Sequence, residues 1–106
     1  KLDLREWKSD QIKAVLRALK RSILVKHVVL QAAKDEKSPT ERNAELLEVL
    51  NIFLPTPTSV QYFEILDTLV GFDLSQKHVA GLKTGNEARW NFNIPEHKCK
   101  LMITRK

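Results

Sequence analysis

Residues 78–94 read HVAGLKTGNEARWNFNI, and the fold predicted for this 106-residue chain depends most on them. Its second half alternates apolar and polar residues, and the apolar ones are Trp90, Phe92 and Ile94. Such alternation predicts a β-strand with one buried face. Residues 84–87 have the composition of a tight turn, and residues 78–82 can form a short strand before it. The stretch therefore predicts a β-hairpin.

Three helices are predicted upstream of this hairpin. The first covers residues 9–33, where apolar residues recur at helical spacing and then on all sides, and Ser22 can divide it in two. The second begins at the capping box of residues 38–41 and ends near Phe53, before two prolines. The third covers residues 59–70, and its predicted inward residues are Val60, Phe63, Leu66 and Val70.

The order of three helices followed by a hairpin is that of a winged helix. The predicted fold class is therefore α+β, with a three-helix core and a C-terminal β-hairpin wing. We expect residues 1–106 to form this single domain, excised from a longer protein. Residues 95–106 are predicted to add a terminal helix, and a strand at 100–104 is the alternative. A death-fold helical bundle shares the first three elements, although it does not explain the strand at Trp90.

The charge of the chain is distributed in three blocks. Residues 1–38 carry a net charge of +5, residues 39–73 of −5 and residues 74–106 of +5. The third predicted helix lies in the acidic block and contains no Lys or Arg, so its insertion into a DNA groove is unfavourable. The blocks favour a surface that binds protein, including a second copy of the chain. Nucleic-acid binding by this domain is expected to be weak and non-specific at most.

No sequence pattern indicates catalysis or a bound cofactor. The three glycines do not form a phosphate-binding loop, and His97 and Cys99 lack the partners of a zinc site. We therefore expect a protein that is not an enzyme and that binds no metal and no cofactor. The single cysteine fits a reducing compartment. No apolar run reaches the roughly 20 residues that span a membrane, so no membrane partner is expected.

Several short stretches resemble one known family. Residues 54–58 (LPTPT), the helix predicted over 62–69, residues 81–83 and residues 86–94 resemble the C-terminal winged helix of origin-recognition and helicase-loading initiator ATPases. The acidic middle block makes the chain most similar to a yeast silencing paralogue in that family. The resemblance implies a nuclear module that mediates homodimerisation of a chromatin-associated transcriptional silencing protein and meets other chromatin proteins. The alternatives are a DNA-contacting winged helix of a replication-origin initiator and a death-fold adaptor domain.

Aromatic and acidic side chains supply the predicted protein interface. Aromatic residues are enriched at interface centres, and the acidic block would meet a basic surface. The interface candidates are Trp7, Tyr62, Glu64, Asp67, Trp90 and Phe92. For both tryptophans, packing in the core is the alternative interpretation. Lys83 and Arg89 flank the predicted turn of the wing and are the candidates for contacts with nucleic-acid phosphates.

Overall fold

A computed structural model of the chain describes residues 2–21, 24–32, 39–56, 58–66, 72, 76–96 and 99–106. Helices and strands alternate along these residues until a final pair of strands. In chain order the elements are β1 (Leu2–Trp7), α1 (Ser9–Leu19), β2 (His27–Ala32), α2 (Pro39–Phe53), β3 (Tyr62–Leu66), α3 (Lys77–Asn86), β4 (Trp90–Asn93) and β5 (Lys100–Arg105).

The strands form one mixed sheet in the order β1-β2-β3-β5-β4. β1, β2 and β3 are parallel neighbours. A parallel pair needs a long crossover connection, and α1 and α2 provide the two that are needed here. β5 pairs antiparallel with β3, and β4 pairs antiparallel with β5. The last two strands therefore form a hairpin at one edge of the sheet.

The hydrophobic core lies between the helices and one face of the sheet. All three helices contribute buried residues, among them Leu16 of α1, Leu50 of α2 and Val79 of α3. The strands contribute alternate residues, which are Leu4, Val28, Leu30, Phe63, Ile65, Trp90, Leu101 and Ile103. α1 contacts α2, and α2 contacts α3. The helices thus form one layer against the sheet, a two-layer arrangement around a single core.

The predicted α+β class is confirmed, and α2 confirms the second predicted helix. The winged-helix arrangement is not confirmed, because the sheet has five strands instead of a two-stranded wing. A helical bundle of the death-fold type has no place for such a sheet. Ser38, the first residue of the predicted capping box, lies outside the described residues.

The prediction that the first helix continues to residue 33 is wrong. α1 ends at Leu19, and β2 follows it. β2 contains Val28, Val29 and Leu30, all of which are buried. A strand inside a parallel sheet is apolar on both sides, and periodicity alone does not distinguish such a run from a buried helix.

The prediction of a third helix over residues 59–70 is also wrong where the structure describes this segment. Tyr62–Leu66 form β3, and these residues are alternately partly buried and buried. The Val60 backbone N–H donates a hydrogen bond to the Thr58 hydroxyl at 3.2 Å, so this threonine caps a turn that leads into a strand. Residues 67–71 lie outside the described part of the chain.

Residues 78–82 belong to a helix and not to the first strand of a hairpin. α3 covers Lys77–Asn86 and includes most of the predicted turn. Its buried residues recur at helical spacing and are Val79, Leu82 and Asn86. The Asn86 side-chain amide donates a hydrogen bond to the Leu82 carbonyl oxygen at 2.8 Å, within the last turn of the helix.

The hairpin lies further along the chain. β4 confirms the strand predicted around Trp90, but its antiparallel partner is β5. The terminal helix predicted over residues 95–106 is therefore wrong, and the alternative strand at 100–104 is correct. In β5 the buried Leu101 and Ile103 alternate with partly buried residues, which is the pattern of a strand with one face on a core.

Candidate functional site

One face of the sheet is not covered by any helix that the structure describes. The residues on this face alternate with the core residues of each strand, and they are Asp3, His27, Val29, Gln31, Tyr62, Glu64, Leu66, Asn91, Asn93, Lys100, Met102 and Thr104. We call this surface the open face. The register aligns Val29, Glu64 and Met102 in one row across β2, β3 and β5. Residues distant in sequence thereby become neighbours.

A polar cluster lies at the centre of the open face, around Glu64 of β3. The Tyr62 hydroxyl donates a hydrogen bond to Glu64 Oε1 at 3.1 Å. Lys100 Nζ, from β5, is 3.7 Å from the same oxygen. His27 Nε2, from β2, is 4.0 Å from Glu64 Oε2. One carboxylate therefore joins side chains from three neighbouring strands.

This cluster is partly shielded from water. The side chain of Glu64 is 20% exposed, that of Lys100 is 29% exposed and that of His27 is 32% exposed. The His27 ring packs edge-on against the Tyr62 ring, with 4.5 Å between the ring centroids. His27 Nε2 is buried and has no hydrogen-bond partner within the described chain. The cluster thus has hydrogen-bonding capacity that these residues do not use among themselves.

Burial raises the pKa of Tyr62 from its usual 10.0 to about 12, and the hydrogen bond to Glu64 and the charge of that carboxylate act in the same direction. The hydroxyl therefore remains protonated, and a donor to Glu64, at neutral pH. Because the folded chain favours the neutral phenol, this interaction contributes stability below the unfolded pKa. That contribution is lost as the pH rises through the folded pKa.

Replacing Tyr62 with phenylalanine is expected to remove this pH dependence. Between pH 10.0 and about 12, the wild-type chain should lose more stability than Tyr62→Phe, because only the wild type has a phenol whose ionisation favours unfolding. Urea unfolding at several pH values in this range measures the difference. The comparison with the variant isolates the contribution of this phenol, because the two proteins share every other side chain. Equal loss of stability in the two proteins would contradict the raised pKa.

The open face also carries apolar side chains between its polar groups. Val29 is 3% exposed although it does not belong to the core between sheet and helices. Leu66 and Met102 are partly buried on the same face. The charges near them have both signs, since Glu64 lies beside Lys100. A surface of mixed sign with apolar residues fits a protein partner better than a phosphate backbone.

The structure brings together two of the predicted interface residues, Tyr62 and Glu64. Trp90 and Phe92 lie on the opposite face of β4, where they pack toward the helices. Trp90 is 2% exposed, so its side chain is not accessible to a partner. For Trp90, the structure therefore supports the alternative interpretation, which is packing in the core.

The remaining predicted site residues are not brought to the open face. Lys83 lies in α3, and Arg89 lies in the turn before β4, where its guanidinium donates a hydrogen bond to the Pro55 carbonyl oxygen at 3.0 Å. Trp7 belongs to β1, but its side chain lies outside what the structure describes, as does the whole of Asp67. Neither of the two basic residues joins the polar cluster.

His27 and Lys100 belong to the cluster but were not predicted from the sequence. Both lie at the first position of their strands, two residues before another residue of the open face. The alternation in residues 100–104 could have indicated which side Lys100 occupies. Nothing in the sequence around His27 indicates that β2 pairs with β3, because that pairing spans a helix.

Among the residues that the structure describes, no group of three or more His, Cys, Asp or Glu is placed to hold a metal ion. None of the described helices combines the length and the apolar character needed to cross a membrane. No family model matches the chain, and no curated protein and no solved structure is significantly similar to it. The functional interpretation therefore depends on the geometry of the sites themselves.

Proposed function

We propose that this chain is a protein–protein interaction module that forms a homodimer through the open face. The observation that supports this most is the uncovered face of three parallel strands. Parallel strands are nearly always covered on both faces, because their crossover helices pack on both. In this chain all three described helices pack on one face. None of the helices that the structure describes covers the other face, and we place the partner there.

The chemistry of the open face favours protein over nucleic acid. Sheets that bind RNA offer aromatic side chains for base stacking, and phosphates require an excess of basic side chains. Tyr62, the aromatic residue at the centre of the open face, is hydrogen-bonded to Glu64. Lys100 is paired with the same carboxylate. A nucleic acid would have to disrupt both contacts and approach a partly buried negative charge.

A second copy of the chain is the proposed partner. The polar cluster contains an acid, Glu64, together with the basic groups of Lys100 and His27. Two open faces related by a two-fold axis can therefore exchange contacts of opposite charge, and two-fold dimers are the commonest oligomers. The charge blocks of +5, −5 and +5 along the sequence favour the same partner.

The resemblance to the silencing paralogue of the initiator ATPases adds a narrower hypothesis, a nuclear homodimerisation module in chromatin. Residues 86–89, which the resemblance assigned to the wing, lie at the end of α3 and in the turn that follows. Part of the third helix that it assigned is β3. The geometry therefore supports the interaction role and adds nothing for chromatin silencing. The geometry likewise favours neither of the two alternatives, which are a DNA-contacting domain of an initiator and a death-fold adaptor domain.

Replacing Met102 with lysine is expected to weaken self-association at least about tenfold. Met102 is a partly buried apolar residue beside Glu64 on the open face. The variant removes an apolar contact and puts in its place a charged side chain, which would lose its water when the two faces meet. Sedimentation velocity of the chain over a range of concentrations measures the dissociation constant.

The matched control is Thr84→Lys, which adds the same charge at an exposed position of α3, on the helix side of the molecule. It should associate as the wild type does, and thermal melts should show that both variants are folded. A wild-type chain that stays monomeric up to high micromolar concentration would contradict homodimerisation. A Met102→Lys variant that dimerises normally would contradict the use of the open face.

A further inference from the structure

A groove separates α1 and α2 on the side of the molecule opposite the open face. Its cavity has a volume of about 140 Å³. The floor consists of apolar residues, which are Leu16, Val49 and Phe53. The α1 rim is basic and carries Lys13, Arg17 and Lys20. The α2 rim carries Ile52. We call this site the helix groove.

The basic residues of the rim form one row along α1. Lys13, Arg17 and Lys20 are four and three residues apart, so they lie on the same side of the helix and span roughly 10 Å. All three are exposed, and no ion pair joins their side chains to the part of the chain that the structure describes. This row of positive charge is therefore available to an acidic partner.

Ile52 makes the opposite rim apolar. Its side chain is 70% exposed, although it lies directly beside the buried floor residues Val49 and Phe53. Ile52 therefore extends the apolar surface of the floor onto the rim of the groove. Glu48, one helical turn before Ile52, is also exposed. The two rims thus differ, with basic charge on α1 and an apolar residue beside an acid on α2.

We propose that the helix groove binds an acidic amphipathic helix of a partner protein. The cavity has room for one large apolar side chain, which would anchor the helix between Leu16 and Phe53. Asp or Glu residues three or four positions from the anchor would then face Lys13, Arg17 and Lys20. This site shares no residue with the open face, so it is independent of the proposed homodimer.

The observations favour this occupant over others. The carboxylate of Glu48 would repel the phosphates of a nucleic acid, and the apolar floor would offer them no contact. Membrane surfaces are bound by larger apolar faces with more basic residues around them. An acidic helix places its charges on the α1 side alone.

Fluorescence anisotropy with a labelled peptide tests the proposal. The probe is an amphipathic peptide of about four helical turns with one phenylalanine anchor and glutamates three and four positions on either side of it. The full chain should bind this peptide, and a matched peptide with glutamine at every glutamate should bind about tenfold more weakly. A peptide with alanine in place of the anchor should lose binding similarly.

Variants of the chain locate the site. Arg17→Glu and Ile52→Asp should each weaken peptide binding about tenfold, and both positions are exposed, so the fold should persist. Lys77→Glu, at an exposed position of α3, is the control of equal charge change and should bind as the wild type does. Met102→Lys should also bind normally, because it changes only the open face.

Three results would overturn the proposal. The first is no binding of the glutamate peptide up to millimolar concentration. The second is equal binding by the wild type, Arg17→Glu and Ile52→Asp. The third is an Arg17→Glu variant that loses self-association, or loses binding to single-stranded DNA or to phosphatidylserine vesicles, while its affinity for the peptide is unchanged.

Discussion

Trp90→Ala is expected to lower the free energy of unfolding by about 3–5 kcal/mol. Trp90 is the largest fully buried side chain that the structure describes. Its indole Nε1–H donates a hydrogen bond to the Leu54 carbonyl oxygen at 3.1 Å. Its ring lies 5.7 Å from the ring of Phe63, and the Arg105 guanidinium lies 5.6 Å from its centroid. Alanine removes all of these contacts and leaves a cavity.

Trp90→Phe separates the packing of the ring from its hydrogen bond. The phenylalanine keeps an aromatic ring against Phe63 but leaves the Leu54 carbonyl oxygen without its indole donor, at a cost of about 1–3 kcal/mol. Urea unfolding monitored by circular dichroism gives both values. An alanine variant with wild-type stability would contradict the buried position of Trp90. Any loss of self-association by Trp90→Ala must be compared with its folded fraction before it is assigned to an interface.

The sequence alone predicts an element correctly where a local signal agrees with the tertiary structure. Pro39 stands at the first position of α2, where its fixed φ and missing N–H are favourable, and two prolines follow the end of that helix. The alternation around Trp90 predicted β4 for a similar reason, because one face of this strand lies on the core. Both signals depend only on neighbouring residues.

The parallel strands were not predictable in this way. β2 is apolar on both sides, since Val28 and Leu30 face the helices and Val29 is buried on the open face. In β3, apolar residues occur at positions that also match a helix, so the period could be assigned to either structure. Pairing between strands separated by a helix decides these segments, and local propensity contains no information on that pairing.

Only part of the candidate site was predicted from the sequence, because the rest depends on the pairing of distant strands. Tyr62 and Glu64 are two positions apart, which places them on roughly opposite sides of a helix but on the same face of a strand. The sequence therefore identified both residues as interface candidates but did not predict the hydrogen bond between them. His27 and Lys100 join them only because β2 and β5 flank β3 in the sheet.

A comparison of Ile65→Ala with Leu66→Ala is expected to give unequal losses of stability. Ile65 faces the helices and is fully buried, so its truncation should cost about 2–5 kcal/mol. Leu66 lies on the open face and is partly buried, so its truncation should cost roughly 1 kcal/mol, because water fills the space that the side chain leaves. Denaturant unfolding of the two variants under the same conditions measures both losses.

These adjacent residues distinguish the strand from the helix that the sequence predicted. In a helix over residues 59–70, Leu66 would lie on the inner face with Phe63, and its truncation would be the severe one. In β3 the alternation reverses the expectation, since the register pairs the core residue Ile65 with Leu30 and Leu101. A larger loss for Leu66→Ala than for Ile65→Ala would contradict β3, and with it the open face to which Tyr62 and Glu64 are assigned.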